Sequence, residues 1–123
     1  PSPPEEPKPE ETKSKEGFVY YIQEEMDGNI KIGWSEDPIK RLQQHQTSNS
    51  RELRMLVYVK GSQEYEREIH RKFQTSKTTG EWFKPDKRLL VHIEKERSKF
   101  FEIVQKLSTD YENLKSRIEK LEN

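Results

Sequence analysis

The chain has 123 residues, of which 28% are hydrophobic and 37% charged, with a net charge of zero and no cysteine. This length allows one small domain with appendages, and the low hydrophobic fraction indicates that part of the chain lies outside any core. The lack of cysteine excludes a disulfide framework and a thiolate metal site. No apolar run reaches the roughly 18 residues of a membrane span and nothing resembles a signal peptide, so we expect a soluble, intracellular protein.

The first segment, residues 1–16, reads PSPPEEPKPEETKSKE and contains no aromatic or aliphatic side chain. Such a segment cannot offset its ordering entropy by burial, so we expect a disordered tail or linker. The chain begins with Pro1 rather than Met, which suggests a fragment of a longer protein. Removal of an initiator Met before proline is the alternative.

A β-hairpin is predicted where the runs FVYYI and IKIGW flank the Asp27-Gly28 turn. For an even loop length, residues whose numbers sum to an odd value lie on the same face of the hairpin. Tyr20, Lys31 and Gly33 then share one face, and Gly33 allows a close approach of its backbone to a strand, a helix or a phosphate. The opposite face is the predicted core face and carries Val19, Tyr21, Ile30, Ile32 and Trp34. An odd loop length would reverse this assignment.

The following segments predict a helix, a strand and a second helix. The first helix starts near Asp37 with Pro38 in its first turn, and Ile39 and Leu42 face the core. LRMLVYVKG is the strand. SQEYEREIHRKF is the second helix, and its predicted buried stripe consists of Tyr65, Ile69 and Phe73. A basic loop, QTSKTTGEWFKP, follows. The predicted fold is a small α/β (α+β) domain with a central antiparallel sheet of about three strands and packed helices.

The last segment predicts a coiled-coil helix over 89–123, after a globular domain at 17–88. Apolar residues recur at alternating spacings of three and four, with Arg97 as the exception, over more than four heptads. The series consists of Leu90, Ile93, Arg97, Phe100, Val104, Leu107, Tyr111, Leu114, Ile118 and Leu121. Ile118 at an a position, with Leu107, Leu114 and Leu121 at d positions, favours a parallel two-stranded coil, so we expect a homodimer or another homo-oligomer.

Five segments in a fixed order resemble a known family: FVYYI, KIG, RLQQH, YEREIHRKF and GEWF. Together they are similar to the GIY-YIG nuclease superfamily, in particular its phage- and virus-associated branch, whose second motif reads Lys-Ile-Gly. The resemblance covers roughly residues 17–95. It implies a metal-dependent endonuclease that hydrolyses phosphodiester bonds in DNA, and it leaves RNA open as a substrate.

The resemblance also implies roles for individual residues. Tyr20 and Lys31 match the two hairpin motifs, and Glu66 matches the glutamate that binds Mg²⁺ or Mn²⁺. Arg41 matches the helical arginine, and His45 matches the histidine one turn later that some members use. These residues are the predicted catalytic set, with Glu66 as the metal ligand. The asparagine found further along in many members has no counterpart here, where GEWF stands instead. His70 is either a neighbour of the metal site or an ordinary helix residue.

The chemistry of phosphodiester hydrolysis suits these residue types. One carboxylate with several waters is typical of Mg²⁺ ligation, and the planar guanidinium of Arg41 matches phosphate oxygens. Tyr20 would accept a proton from water, but a tyrosine pKa near 10 makes it a weak base at neutral pH. We therefore expect Lys31, on the same face, to lower the pKa of Tyr20.

Two other functions remain open at this point. The same fold could bind nucleic acid without cleaving it, or the protein could be a coiled-coil adaptor whose head binds another protein. Cleavage of plasmid DNA that depends on Mg²⁺ distinguishes the endonuclease from both, and salt-dependent DNA binding without cleavage favours the binding module.

Overall fold

The computed structural model describes residues 16–25 and 28–122. The predicted tail, apart from Glu16, and Asp27 of the predicted turn lie outside these residues. The elements in chain order are β1 (Phe18–Glu24), β2 (Ile30–Ser35), α1 (Pro38–Thr47), β3 (Leu53–Lys60), α2 (Gln63–Lys72), a 3-10 turn (Gln74–Ser76), β4 (Trp82–Phe83) and α3 (Lys87–Glu122). The strands form one antiparallel sheet in the order β3-β1-β2-β4.

The predicted mixed α/β class is confirmed, with one strand more than expected. The additional strand, β4, comes from the GEWF motif and pairs with β2. The chain divides into two units between Asp86 and Lys87, whereas the predicted domain limits of 17–88 and 89–123 stay a prediction. Within residues 16–25 and 28–122, no helix combines the length and the apolar character needed to cross a bilayer.

The predicted hairpin register is confirmed. Tyr20 lies opposite Gly33, and Ile22 lies opposite Lys31, so the paired numbers sum to an odd value. The expectation of a single core face is wrong, however, because Tyr20 and Ile22 are as buried as Tyr21 on the other side. β1 is a central strand covered on both faces, and FVYYI accordingly reads as a continuous apolar run.

Helix α1 covers the Tyr20 face of the sheet. Its cap is Asp37, whose side chain accepts a hydrogen bond from the Lys40 backbone N–H at 3.1 Å. Leu42 packs against the cluster around Tyr20, as predicted. Ile39 is 45% exposed, contrary to prediction. The inward face of α1 begins at the buried Pro38 and continues with the half-buried Arg41, Leu42 and His45. Ile39 lies to one side of this face.

Helix α2 lies on the opposite face. The Ser62 hydroxyl accepts a hydrogen bond from the Tyr65 backbone N–H at the start of the helix. Ile69 and Phe73 are buried and Tyr65 is half-buried, so the predicted inward stripe is confirmed. The ring of His70 contacts Phe83, whose strand partner Ile30 belongs to this second face.

Helix α3 forms the second unit. The helical prediction is confirmed over Lys87–Glu122, and every described residue from Arg97 onward is exposed. The exposed set includes the heptad positions Val104, Leu107, Tyr111, Leu114, Ile118 and Leu121. These apolar heptad positions form a seam along the helix, and oligomerisation through this seam stays a prediction.

Candidate active site

The centre of the candidate site is the Tyr20 side chain, which is 1% exposed in the middle of β1. Its ring lies across the backbone of Gly33 on the neighbouring strand, and a Cβ atom at position 33 would overlap the Tyr20 hydroxyl. The close approach predicted at Gly33 is therefore made by Tyr20 itself. Glycine at this point of β2 fixes the depth of the phenol below α1.

Two side chains of α1 contact the Tyr20 hydroxyl. His45 Nε2 lies 3.3 Å from the Tyr20 oxygen, and Arg41 donates a hydrogen bond to the same oxygen. These residues are one helical turn apart, so a single face of α1 presents both. Burial raises the pKa of Tyr20 to about 12, the charge of Glu81 adds to this effect, and Arg41 opposes it. Tyr20 is consequently a neutral phenol at pH 7.

His45 has the opposite shift. Burial lowers the pKa of His45, and the positive charges of Lys31 and Arg41 lower it further. The imidazole is therefore neutral at pH 7, and a neutral ring nitrogen is a proton acceptor. Of the two hydrogen-bonded groups, His45 is the stronger base and Tyr20 the weaker one.

Lys31 has a different partner from the one expected. Its Nζ lies 3.4 Å from Glu81 Oε1 and 5.4 Å from the centre of the Trp82 ring. The pKa of Tyr20 is raised, not lowered, and the cation that opposes this increase is Arg41. The expectation that Lys31 lowers the pKa of Tyr20 is therefore wrong. Lys31 lies on β2 between Ile22 of β1 and Trp82 of β4, and its charge favours the ionised form of Glu66.

Glu66 and Glu81 form a carboxyl pair. The Glu66 side chain is 15% exposed on α2 and shares a hydrogen bond with Glu81. Burial, followed by the charge of Glu81 and this hydrogen bond, raises the pKa of Glu66 to about 7. Two carboxylates this close repel each other, so the pair retains a proton near neutral pH.

Glu81 was missed in the sequence, and a tight turn explains its position. The Trp82 N–H donates to the Thr79 carbonyl at 2.8 Å, and Gly80 between them has φ +54°. Glycine tolerates this left-handed conformation, and the next residue is delivered to the start of β4. The Glu81 carbonyl then accepts a hydrogen bond from the Ile32 N–H at 3.0 Å. The Gly-Glu pair within GEWF was the signal that could have identified it.

The His70 side chain forms a hydrogen bond to the backbone of β2. Its Nε2 donates to the Ile32 carbonyl at 2.8 Å, so this carbonyl is paired by a side chain while the Ile32 N–H is paired by Glu81. The same nitrogen lies 3.6 Å from Glu66 Oε2. His70 therefore attaches α2 to the sheet beside Glu66.

An open cleft of about 370 Å³ lies over the carboxyl pair. Its lining residues are Glu66, Arg67, His70, Arg71 and Glu81. Among the described residues, no group of three or more His, Cys, Asp or Glu side chains is placed to hold a metal ion. The pair of Glu66 and Glu81 still offers hard oxygen donors, and Mg²⁺ commonly uses one or two carboxylates and completes its shell with water and phosphate.

The predicted catalytic residues thus lie in one connected group. Tyr20, Arg41 and His45 are joined by hydrogen bonds, and Glu81 links Lys31 to Glu66. The charges of Glu66 and Glu81 act on Tyr20, and the charge of Lys31 acts on His45, so the two halves are electrostatically coupled.

A protein-family model, that of the T5orf172 domain, matches residues 17–106. The match includes the whole candidate site and the first part of α3. No curated protein and no solved structure matches the chain.

Proposed function

The chain belongs to the T5orf172 domain family, and we propose that it is a metal-dependent endonuclease that hydrolyses DNA phosphodiester bonds through a site of the GIY-YIG type. The family is associated with endonuclease-related families, which supports a nuclease-like or DNA-binding module. The observation that supports this proposal is that Tyr20, Lys31, Arg41, His45 and Glu66, which come from four elements, form one group connected by hydrogen bonds and charges, and that Glu66 of this group lines the cleft.

Glu66 and Glu81 would hold the metal ion, Mg²⁺ or Mn²⁺. Their donor atoms are hard oxygens, and a cation bound to both would relieve the repulsion between the two carboxylates. When bound, such an ion supplies positive charge to the phosphate oxygens and to the leaving oxygen. Lys31 lies against Glu81 at 3.4 Å and would hold this carboxylate in position.

The attacking water would be deprotonated through Tyr20 and His45. Because the pKa of Tyr20 is about 12, the phenol does not act as a base by itself. Neutral His45 at 3.3 Å can take the Tyr20 proton while the phenol oxygen takes a proton from water. In this scheme Tyr20 orients the water and relays its proton, and His45 is the base.

Arg41 would bind the phosphate that is cleaved. Its guanidinium hydrogen-bonds the Tyr20 hydroxyl, which uses part of the planar fork and leaves other N–H groups for phosphate oxygens. Arginine keeps its charge at every relevant pH, so it can neutralise charge that develops on the phosphate.

We further propose that two copies associate through α3. The heptad positions from Val104 to Leu121 are exposed along one helix, and an apolar seam with period 3.5 fits another helix of the same pattern. A dimer would carry two sites, which suits cleavage of both strands of a duplex.

Incubation of supercoiled plasmid DNA with the chain in Mg²⁺, in Mn²⁺ and in EDTA tests the proposal. If the chain is an endonuclease, nicked and linear DNA form with either metal, and neither product forms in EDTA. Salt-dependent DNA binding without any cleavage would instead identify a binding module of the same fold. If the chain neither binds nor cleaves DNA, the coiled-coil adaptor is the function that remains.

A further inference from the structure

Two arginines form one wall of the cleft beside the carboxyl pair. Arg67 and Arg71 are one turn apart on α2, and both line the cleft together with Glu66 and Glu81. Residues four apart on a helix lie on the same side, so the two guanidinium groups follow one another along the cleft. Arg67 is close enough for its charge to favour the ionised form of Glu66. A polyanion that binds in the cleft therefore meets these cations beside the carboxyl pair.

The arginines also have an ordinary explanation. Arg71 lies in the last turn of α2, where a cation interacts favourably with the helix dipole. Arg67 forms a 2.8 Å ion pair with the exposed Glu64, which is three residues earlier. Exposed pairs of this kind contribute little to stability. Neither interaction explains why both side chains line the cleft.

We propose that Arg67 and Arg71 bind backbone phosphates of the nucleic acid next to the phosphate that is cleaved, and so position the strand over Glu66 and Glu81. This inference rests on the proposed function, because it names the strand-binding surface of the same site. Guanidinium groups bind phosphate oxygens bidentately, and contacts to phosphates set the register of a strand without reading its sequence. Glu64 competes with the phosphate for Arg67.

The test measures binding of a short DNA duplex in EDTA, so that cleavage does not contribute. Fluorescence anisotropy between about 0.05 and 0.3 M salt gives the affinity and its salt dependence. Arg67→Gln and Arg71→Gln should each reduce the slope of log K against log salt by about 0.9, or about eightfold in affinity at 0.1 M salt. Glu64→Gln should strengthen binding about twofold, because it releases Arg67 from an exposed ion pair.

The matched control is Arg54→Gln, an exposed arginine on β3, the edge strand opposite β4. It should leave the slope unchanged. Equal losses of affinity and slope in all three arginine variants would mean that binding responds to net charge alone, and this would overturn the proposal. Unchanged slopes for Arg67→Gln and Arg71→Gln would also overturn it. The gain expected in Glu64→Gln cannot come from damage to the fold.

The outcome separates this inference from the proposed function. If the parent chain cleaves plasmid DNA but both arginine variants bind like the parent, the strand-binding assignment fails and the endonuclease stands. If the variants lose affinity as stated but the parent never cleaves, the backbone site stands and the endonuclease fails.

Discussion

Replacement of Glu66 by glutamine should stabilise the protein at alkaline pH when no metal is present. The native state keeps the Glu66 proton up to about pH 7, whereas the unfolded chain releases it near pH 4.5. Unfolding between these values therefore releases a proton, and rising pH favours the unfolded chain. Glutamine keeps the shape of the side chain and has no proton to lose. The free energy of unfolding of Glu66→Gln should therefore exceed that of the parent by an amount, called here the advantage of the variant, that increases with pH.

The size of this effect follows from the pKa difference. At 1.36 kcal/mol per pKa unit, the interval from 4.5 to about 7 corresponds to at most about 3 kcal/mol. The Glu66 side chain is 15% exposed and lines an open cleft, so water screens part of this energy. We expect the advantage of the variant to grow by about 1 to 2 kcal/mol between pH 5 and pH 8.

Urea unfolding followed by circular dichroism, in EDTA and at closely spaced pH values, measures this difference. Glu68→Gln is the control, because Glu68 is an exposed glutamate on the same helix, and its difference from the parent should stay constant. A Glu66→Gln advantage that does not change with pH, or that decreases as pH rises, would refute the account of the carboxyl pair.

Three further predictions concern the hairpin and α3. Lys31→Met should lower the cleavage rate at every pH from about 6 to 10, and the basic limb of the pH–rate profile should not shift. The reason is that Lys31 interacts with Glu81 and not with Tyr20. A shifted basic limb would contradict this. Gly33→Ala should lower the free energy of unfolding by about 1 to 3 kcal/mol, measured with denaturant, since the added methyl overlaps Tyr20; an unchanged value would rule out the close approach. Leu107→Lys with Leu114→Lys should convert an oligomer into a monomer in light scattering, and a monomeric parent chain would eliminate the seam.

The sequence predicted the elements and the hairpin register because these depend on local patterns. The even loop of the hairpin formed by FVYYI and IKIGW determines which residues share a face, and the structure has that register. Ile39 shows the limit of such patterns. Its hydrophobicity predicted burial, but the inward face of α1 starts one residue earlier, at Pro38.

Glu81 and the partner of Lys31 could not be obtained in this way. β4 has two residues, too few for a detectable period, and it is positioned by pairing with β2 about fifty residues earlier in the chain. The ion pair of Lys31 and Glu81 exists only after that pairing. The raised pKa of Tyr20 likewise depends on burial by α1 and on Glu81, neither of which is a local property. The resemblance to a known family selected the five candidate residues, whereas the interactions among them required the folded chain.

Cleavage through the proposed site requires the Glu66 carboxylate, and the plasmid cleavage rate of Glu66→Ala in Mg²⁺ measures this requirement. Glu68→Ala, on the exposed side of the same helix, is assayed beside it under the same conditions. This requirement predicts that Glu66→Ala loses cleavage while Glu68→Ala cleaves like the parent. Cleavage by Glu66→Ala at the parental rate would contradict it.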